Sequence, residues 1–511
     1  MGIIAKQSIQ GTIVTYLGVA VGFVTTFFVL TRFLTAEEIG LSRVLVDAAT
    51  LFIGLAQLGT SSSIIRFYPH FKKTSKEPDS HSSTSDSDHG FFFWTIIIPL
   101  VGFALFTIIY CACHTPISQW FSKNSPRFVD YYYMVLPMAF FMLYQTVFET
   151  NANVRMHIVI PRAVRELITR IGLLMAYLLY AFNIVTIDGF VISLCSVYAV
   201  AMICNIIYLF WLGEVSLRPD WQFLRENRTL VKQYFLYTGF LLVSAVTSVL
   251  APTLSSFFIT AEMGLHYTGI FAIATYIAVM VSIPYRSMTA IAAPQLATAL
   301  KNNNQEEVKH LMQQVSSNLL LIGGMILCAI WLNIDLIFHA LPNGTIYANA
   351  RYVVLMLGIS QLLIATCSFT SSTLNYSRFY AFSLLFSFLL TASSILLNNA
   401  LIPHFGMNGA ALSNLISYAL YFFLIVITVR GTVHAPTFTT LHVKIVGLLL
   451  LIFIINHLWL SFLPIHNIWL SSILRSTVLL GGGCIIAWFT QLSPEINKQV
   501  RSLGKRFKNK A

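Results

Sequence analysis

Long apolar runs separated by short polar breaks fill nearly all of the 511 residues. Fourteen runs of about the length of a membrane crossing can be marked: 11–33, 43–64, 91–113, 128–150, 163–183, 187–212, 234–259, 268–290, 313–333, 350–372, 379–400, 408–430, 443–463 and 469–491. A helix rises about 1.5 Å per residue, so about 20 residues cover a hydrocarbon core of roughly 30 Å. That layer offers no partner to a bare backbone, which forces each run into a helix. The pattern predicts an all-α integral membrane protein with about fourteen transmembrane helices.

Composition points the same way. The hydrophobic fraction is 57% and the charged fraction 10%, against about a quarter charged in a soluble domain. The 40 Phe residues suit lipid-facing helices. The N-terminus holds one Lys, then an apolar run too long for a signal-peptide core and without a small-residue cleavage site. The first helix is therefore expected to act as its own insertion signal.

The net charge of +12 has two readings, a basic path for an acidic substrate or the positive-inside bias of membrane proteins. Sorting the 31 Lys and Arg by the fourteen spans leaves only Arg32, Arg43, Lys123, Arg127, Arg351 and Arg475 on the side opposite the termini. The bias predicts that both termini are cytoplasmic, and it accounts for most of the net charge. Cys111, Cys113, Cys195, Cys204, Cys328, Cys367 and Cys484 all fall in or beside apolar runs without metal-ligand neighbours. They read as small buried hydrophobes, and no metal or cofactor is expected.

The longest polar stretch, 72–90 (KKTSKEPDSHSSTSDSDHG), is low in complexity and reads as a disordered cytoplasmic loop. Its His81, Asp86, Asp88 and His89 are taken as solvated rather than metal-binding. The mixed-charge segment after the sixth run is a natural joint. FLTAEEIGL at 33–41 recurs as FITAEMGL at 258–265, and Asp188-Gly189 matches Asn408-Gly409 at nearly the same spacing. An even number of helices between copies implies a parallel repeat about an axis along the membrane normal. The expected organisation is an N-terminal lobe (1–212), a cytoplasmic linker (213–233), a C-terminal lobe (234–430), two further helices (443–491) and a basic cytoplasmic tail (492–511). These are two pseudo-symmetric six-helix lobes plus two C-terminal helices. Gly18 and Gly22 form a GxxxG, read as a close helix contact. Pro137, Pro252, Pro284 and Pro294 mark sites where helices can kink.

Three segments carry a resemblance. RFLTAEEIG (Arg32 to Gly40) resembles the loop after the first helix of polysaccharide flippases of the multidrug/oligosaccharidyl-lipid/polysaccharide exporter superfamily. LGTSSSIIRFYP (Leu58 to Pro69) is similar to the ending of that family's second helix, and IPHFGMNGAA (Ile402 to Ala411) to its loop before the twelfth. The resemblance extends over nearly the whole chain and is of the Wzx-type O-antigen translocase kind. It implies transfer of an undecaprenyl-diphosphate-linked oligosaccharide from the cytoplasmic to the outer leaflet of a bacterial inner membrane, by a rocker-switch change. It also implies polysaccharide polymerases and glycosyltransferases as pathway partners.

A diphosphate calls for cations in a low-dielectric place, and the planar guanidinium fork suits phosphate. An Arg inside an apolar span should face water or a partner, because burying it alone costs about 2.5–3.5 kcal/mol. Arg66, Arg286 and Arg170 are the leading candidates, followed by Arg32, Arg351 and Arg378. Each can also be read as an interfacial Arg serving topology. Glu149 and Asn151, with Asn153, close the fourth run and can line a mouth or partner Arg155. Tyr16, Gln57, Gln145 and Asn375 are candidates for sugar recognition.

Cation-drug antiporters of the same superfamily use buried carboxylates. Here 11–33 and 234–259 contain none, and Asp47, Asp130, Glu149, Glu166 and Asp188 are placed near span ends. That favours an anionic substrate with guanidinium groups unopposed by carboxylates. A lipid II flippase, a cation-coupled multidrug antiporter and a membrane glycan polymerase or ligase are the rival readings. The last should carry catalytic groups on a sizeable outer loop. The longest outer loop expected is 334–349, and no P-loop, GxSxG or HExxH pattern is present.

Overall fold

The structure is a computed structural model that describes residues 3–71, 89–213, 215, 217–302, 304–377, 379–432, 437–461 and 468–489. The disordered-loop expectation for 72–88, the basic tail and Arg378 lie outside the described residues.

Among the described residues the apolar runs lie mainly on helices, although 43–64 is divided by a turn at 57–59. The main helices are α1 (Ile3–Val24), α2 (Ala36–Ala56), α3 (Thr60–Phe71), α4 (Phe91–Ala112), α5 (Val135–Val154), α6 (Thr169–Ala181), α7 (Ile187–Leu212), α8 (Arg228–Glu262), α9 (Leu265–Val279), α10 (Ile283–Lys301), α11 (Gln305–Leu332), α12 (Arg351–Tyr376), α13 (Tyr380–Thr432), α14 (Thr440–Ser461) and α15 (Ile468–Phe489). Among the described residues eight helical spans are long and apolar enough to cross a membrane, and shorter apolar helices accompany them. This is a multi-pass all-α membrane protein. α13 holds two of the expected spans, divided at Gly406, whose φ of 57° and ψ of −135° leave the helical region beside Pro403. The IPHFG segment supplies that break.

By its internal contacts the chain divides into two compact units, Met1–Gly269 and Ile270–Ala511. In the first unit α2 begins seven residues before the expected start of the second span. Thr35 and Glu38 form a reciprocal capping box: the Glu38 amide donates to Thr35 Oγ1 at 3.3 Å and the Thr35 amide to Glu38 Oε2 at 2.8 Å. Glu38 also accepts from the Tyr180 hydroxyl, and Glu37 pairs with Arg127 at 3.3 Å. The TAEEIG segment is thus a helix start, not a loop. In the second copy, Thr260 and Glu262 still belong to α8, and Gly264 (φ 99°) makes the turn into α9.

Beyond the end of α2, Leu58 (φ 49°) and Gly59 (φ 72°) turn the chain into α3. α8 packs on α2 and α3, with Ser63 Oγ and Thr238 Oγ1 2.8 Å apart and the Phe67 and Tyr234 rings 5.2 Å apart. This places α8, which the sequence repeat groups with the second half, in the first compact unit.

In the second unit α11 packs on α12, α14 and α15. His442 Nε2 lies 3.0 Å from Ser316 Oγ, and Arg475 donates to the Leu332 carbonyl at 2.8 Å. A carbonyl at the C-terminus of a helix is a favourable partner for a cation, so Arg475 can sit within α15 at little cost.

Candidate functional site

The guanidinium groups singled out in the sequence divide into two kinds. Arg170 stands in α6, which follows a π-helical segment, Val164–Ile168. It donates to Glu166 Oε2 at 2.9 Å and to the Gly18 carbonyl of α1 at 2.8 Å. A Cβ on Gly18 would lie 2.5 Å from the Glu166 carbonyl oxygen, and one on Gly22 2.5 Å from Arg170 Nη1. The GxxxG therefore serves close approach, as read: its missing side chains admit the Arg170 fork to the backbone of α1. The neighbouring Arg165 bridges Glu149 at 2.9 Å and Glu166 at 3.5 Å. Both carboxylates are buried. Burial of a carboxylate demands a paired cation, and Arg165 and Arg170 supply it. Arg351 is also opposed, by Asp335 at 3.2 Å, while its guanidinium carbon lies 5.2 Å from the centre of the Trp331 ring.

The expectation of guanidinium groups unopposed by carboxylates therefore fails for Arg170 and Arg351. The physical reason is sequence distance and helix phase: Glu166 lies one turn from Arg170, and Asp335 sixteen residues before Arg351 beyond an intervening turn.

Arg66, Arg286 and Arg32 form the second kind. All three are exposed, and among the described residues none has a carboxylate at ion-pair distance. Arg66, in α3, lies over the Tyr237 ring of α8 with its guanidinium carbon 4.2 Å from the ring centre, and 5.7 Å from that of Phe67. Stacking on an aromatic face fixes the plane of the fork without occupying all of its donors. Arg32 lies 5.4 Å from the Phe33 ring centre. Arg286 is in the first turn of α10, beside Pro284.

Glu149 and Asn151 are both buried. Glu149 is held by Arg165. Asn151 is fully buried, donates to Thr95 Oγ1 at 3.1 Å and accepts from Arg155 at 3.1 Å. Arg155 is itself buried against the Tyr68 ring, 4.9 Å from its centre. Gln145 is buried and donates to Thr169 at 3.3 Å. Gln57 is half-buried and accepts from Ser61 at 3.2 Å, while Tyr16 and Asn375 are exposed.

Sequence reasoning missed one pair. Because α2 begins at Ala36, Arg43 and Asp47 lie inside it, and Asp47 falls at its middle rather than near an end. Arg43 Nε donates to Asp47 Oδ2 at 2.9 Å, and Ser256 of α8 shares the carboxylate. The signal was available: Thr35 and Glu38 have the spacing of a capping box, which starts the helix ahead of Arg43.

The model of the family described as "Polysaccharide biosynthesis protein" matches residues 4–299. The chain belongs to this polysaccharide biosynthesis family. No curated protein sequence matches it. Among solved structures, a lipid II flippase MurJ in an inward closed conformation superposes with a TM-score of 0.72 at 13% identity, over 94% of this chain and 99% of that one. An inward-facing multidrug resistance MATE family transporter of the MOP superfamily gives 0.62 at 14% identity, over 82% and 95%. The Vibrio cholerae MATE transporter VcmN in its bent form gives 0.53 at 16% identity, over 84% and 99%. These likenesses show that the chain shares its fold with those proteins, and the expected all-α architecture holds.

Proposed function

We propose that this polysaccharide-biosynthesis family member is a non-enzymatic flippase. Its substrate is an oligosaccharide repeat unit on an undecaprenyl diphosphate, moved from the cytoplasmic to the outer leaflet by alternating access. The product feeds a surface polysaccharide, as lipopolysaccharide, capsule or exopolysaccharide. In this reading the chain is a protein of the bacterial inner membrane with both termini in the cytoplasm.

The observation that carries the reading is Arg66. An exposed guanidinium on an aromatic face, with no carboxylate partner among the described residues, is suited to a diphosphate and unsuited to a cationic drug. The absence of carboxylates from α1 and from residues 234–259 supports the same charge preference. The mid-helix Asp47 does not alter it, since Arg43 neutralises that carboxylate.

Deleting the gene tests the reading. Lipid-linked units are expected to accumulate in the cytoplasmic leaflet. Undiminished delivery to the outer leaflet in a strain with no second transporter of this kind would refute the function.

A further inference from the structure

The chain between α7 and α8 folds back on the ends of α3 and α4. Gly213, with φ at 67°, turns it at the end of α7. It then runs so close to the start of α4 that a Cβ on Gly90 would lie 2.3 Å from the Arg218 carbonyl oxygen. Asp220 caps the short helix Trp221–Glu226 and lies 2.9 Å from His89 Nδ1. Phe223 fills an aromatic seat, its ring centre 4.2 Å from that of His89 and 5.2 Å from that of Phe71. Trp221 meets Trp94 edge to face at 5.4 Å.

This anchoring leaves large apolar side chains uncovered. Trp211 is 79% exposed, Trp221 58% and Leu217 50%. On the short helix the exposed positions are 221, 222, 225 and 226. At 3.6 residues per turn they span a contiguous arc of about 140°, with Phe223 outside it. Trp221 and Arg225 share one edge of that arc, a turn apart. Gln222 and Glu226 share the other, where Gln222 Nε2 donates to Glu226 Oε1 at 3.1 Å. Asn227 interrupts the helix, and Arg228 and Lys232 follow at the start of α8, again a turn apart. Arg225, Arg228 and Lys232 are exposed, and among the described residues none has a carboxylate at ion-pair distance.

The depth of these cations decides what they meet. The apolar run of α8 begins at 234. Lys232 and Arg228 precede it by two and six residues, about 3 Å and 9 Å along the axis. The headgroup layer on each side of a hydrocarbon core is about 5–8 Å thick. Trp211, at the end of α7, is of the residue type that favours the same layer. A soluble partner would have to displace lipid headgroups to reach Lys232, whereas an anionic phospholipid already lies at that depth.

We infer that residues 217–232 form a membrane-surface anchor whose ligand is the phosphate of anionic glycerophospholipids in the adjoining leaflet. Leu217 and Trp221 enter the interface, and Arg225, Arg228 and Lys232 hold the headgroups. Attraction of a basic segment beside a span to anionic lipid grows with each Lys or Arg and is screened by salt. The anchor is independent of what the protein transports.

The test places the full-length protein in nanodiscs of phosphatidylcholine with or without phosphatidylglycerol. It reads hydrogen exchange in 217–232 and the lipid retained on gentle delipidation, with the melting midpoint recorded alongside. Slower exchange with phosphatidylglycerol and its selective retention are expected, both diminished at high salt. Arg225→Gln/Arg228→Gln/Lys232→Gln should lower the preference for phosphatidylglycerol about fivefold per cation removed, with the melting midpoint in phosphatidylcholine unchanged. Arg225→Lys/Arg228→Lys keeps the charge and should keep the preference. A wild-type protein without this preference, or with one indifferent to salt, would overturn the inference. So would unaltered preference and exchange in the triple variant, or a loss in the charge-keeping variant equal to that of the triple. Protection of 217–232 by soluble polyglutamate, with no response to phosphatidylglycerol, would assign the surface to an acidic protein and overturn the lipid assignment.

Discussion

Gly40 of α2 and Gly269 of α9 meet backbone to backbone. The Cβ position of Gly40 is 3.0 Å from the Gly269 nitrogen, and that of Gly269 is 3.1 Å from the Gly40 nitrogen. Each is the fifth residue of its helix, and a side chain on either would overlap the carbonyl oxygen of the other helix's first residue, Leu265 or Ala36. The contact is reciprocal.

Gly40→Ala should therefore push α2 and α9 apart. Overpacking of this kind costs about 1–3 kcal/mol. A lowered Tm in detergent is expected for Gly40→Ala and for Gly269→Ala, with little further loss when the two are combined, because the first already separates the helices. An unchanged Tm for both single variants would show that the contact yields without cost.

The Arg165–Glu149–Glu166–Arg170 network makes a second prediction. Glu166 answers two cations, so Glu166→Gln leaves Arg170 and Arg165 under-compensated beside α1. Removing one partner of a buried pair costs up to about 3–5 kcal/mol, and partial exposure of both Arg side chains reduces this to about 1–3 kcal/mol. The double variant Glu166→Gln/Arg170→Gln should be less destabilised than the sum of the singles. Additive Tm changes would argue against coupling.

Arg66 stacks on two rings and, among the described residues, has no ion pair, so its replacement should separate binding from stability. Arg66→Gln is expected to weaken farnesyl diphosphate binding about tenfold with Tm unchanged. Tyr237→Leu should weaken it less, by freeing the fork from its stacked plane. A large Tm loss in Arg66→Gln, with binding per folded molecule intact, would reassign the residue to structure.

A pH dependence follows from Asp220, outside the membrane spans, which caps the helix Trp221–Glu226. Against its partial burial, the Phe223 amide at 3.0 Å and His89 at 2.9 Å hold its carboxyl below the ordinary value. A lowered carboxylate pKa contributes stability above the unfolded value, about 3.9, and loses it as pH falls through the folded value. Asp220→Ala should thus cost about 1 kcal/mol at pH 6, and the difference should shrink below pH of about 3.9. A difference that grew toward acid pH would reverse the sign.

The helices were legible because lipid imposes length and apolarity on every span, and the breaks at Gly406 and at 57–59 coincide with Pro and Gly. The start of α2 lies seven residues ahead of the expected position 43, where the Thr35 cap, a signal present in the sequence, begins the helix. The pairing of Arg170 with Gly18 was not legible, since it depends on α1 and α6 meeting across 152 residues of sequence. The GxxxG announced only that some partner would approach. Arg66 was legible as a candidate, but its aromatic seat was not, because Tyr237 comes from α8.

The central claim is that this chain moves a polyprenyl-diphosphate-linked sugar across a bilayer. Its most direct measurement reconstitutes the purified protein in liposomes carrying a fluorescent undecaprenyl-diphosphate disaccharide and follows quenching by an impermeant reductant. Faster loss of the protected inner-leaflet signal than in protein-free liposomes, slowed by Arg66→Gln, is the expected result. Equal rates with and without protein, or a rate indifferent to replacing the diphosphate by a neutral linkage, would contradict it.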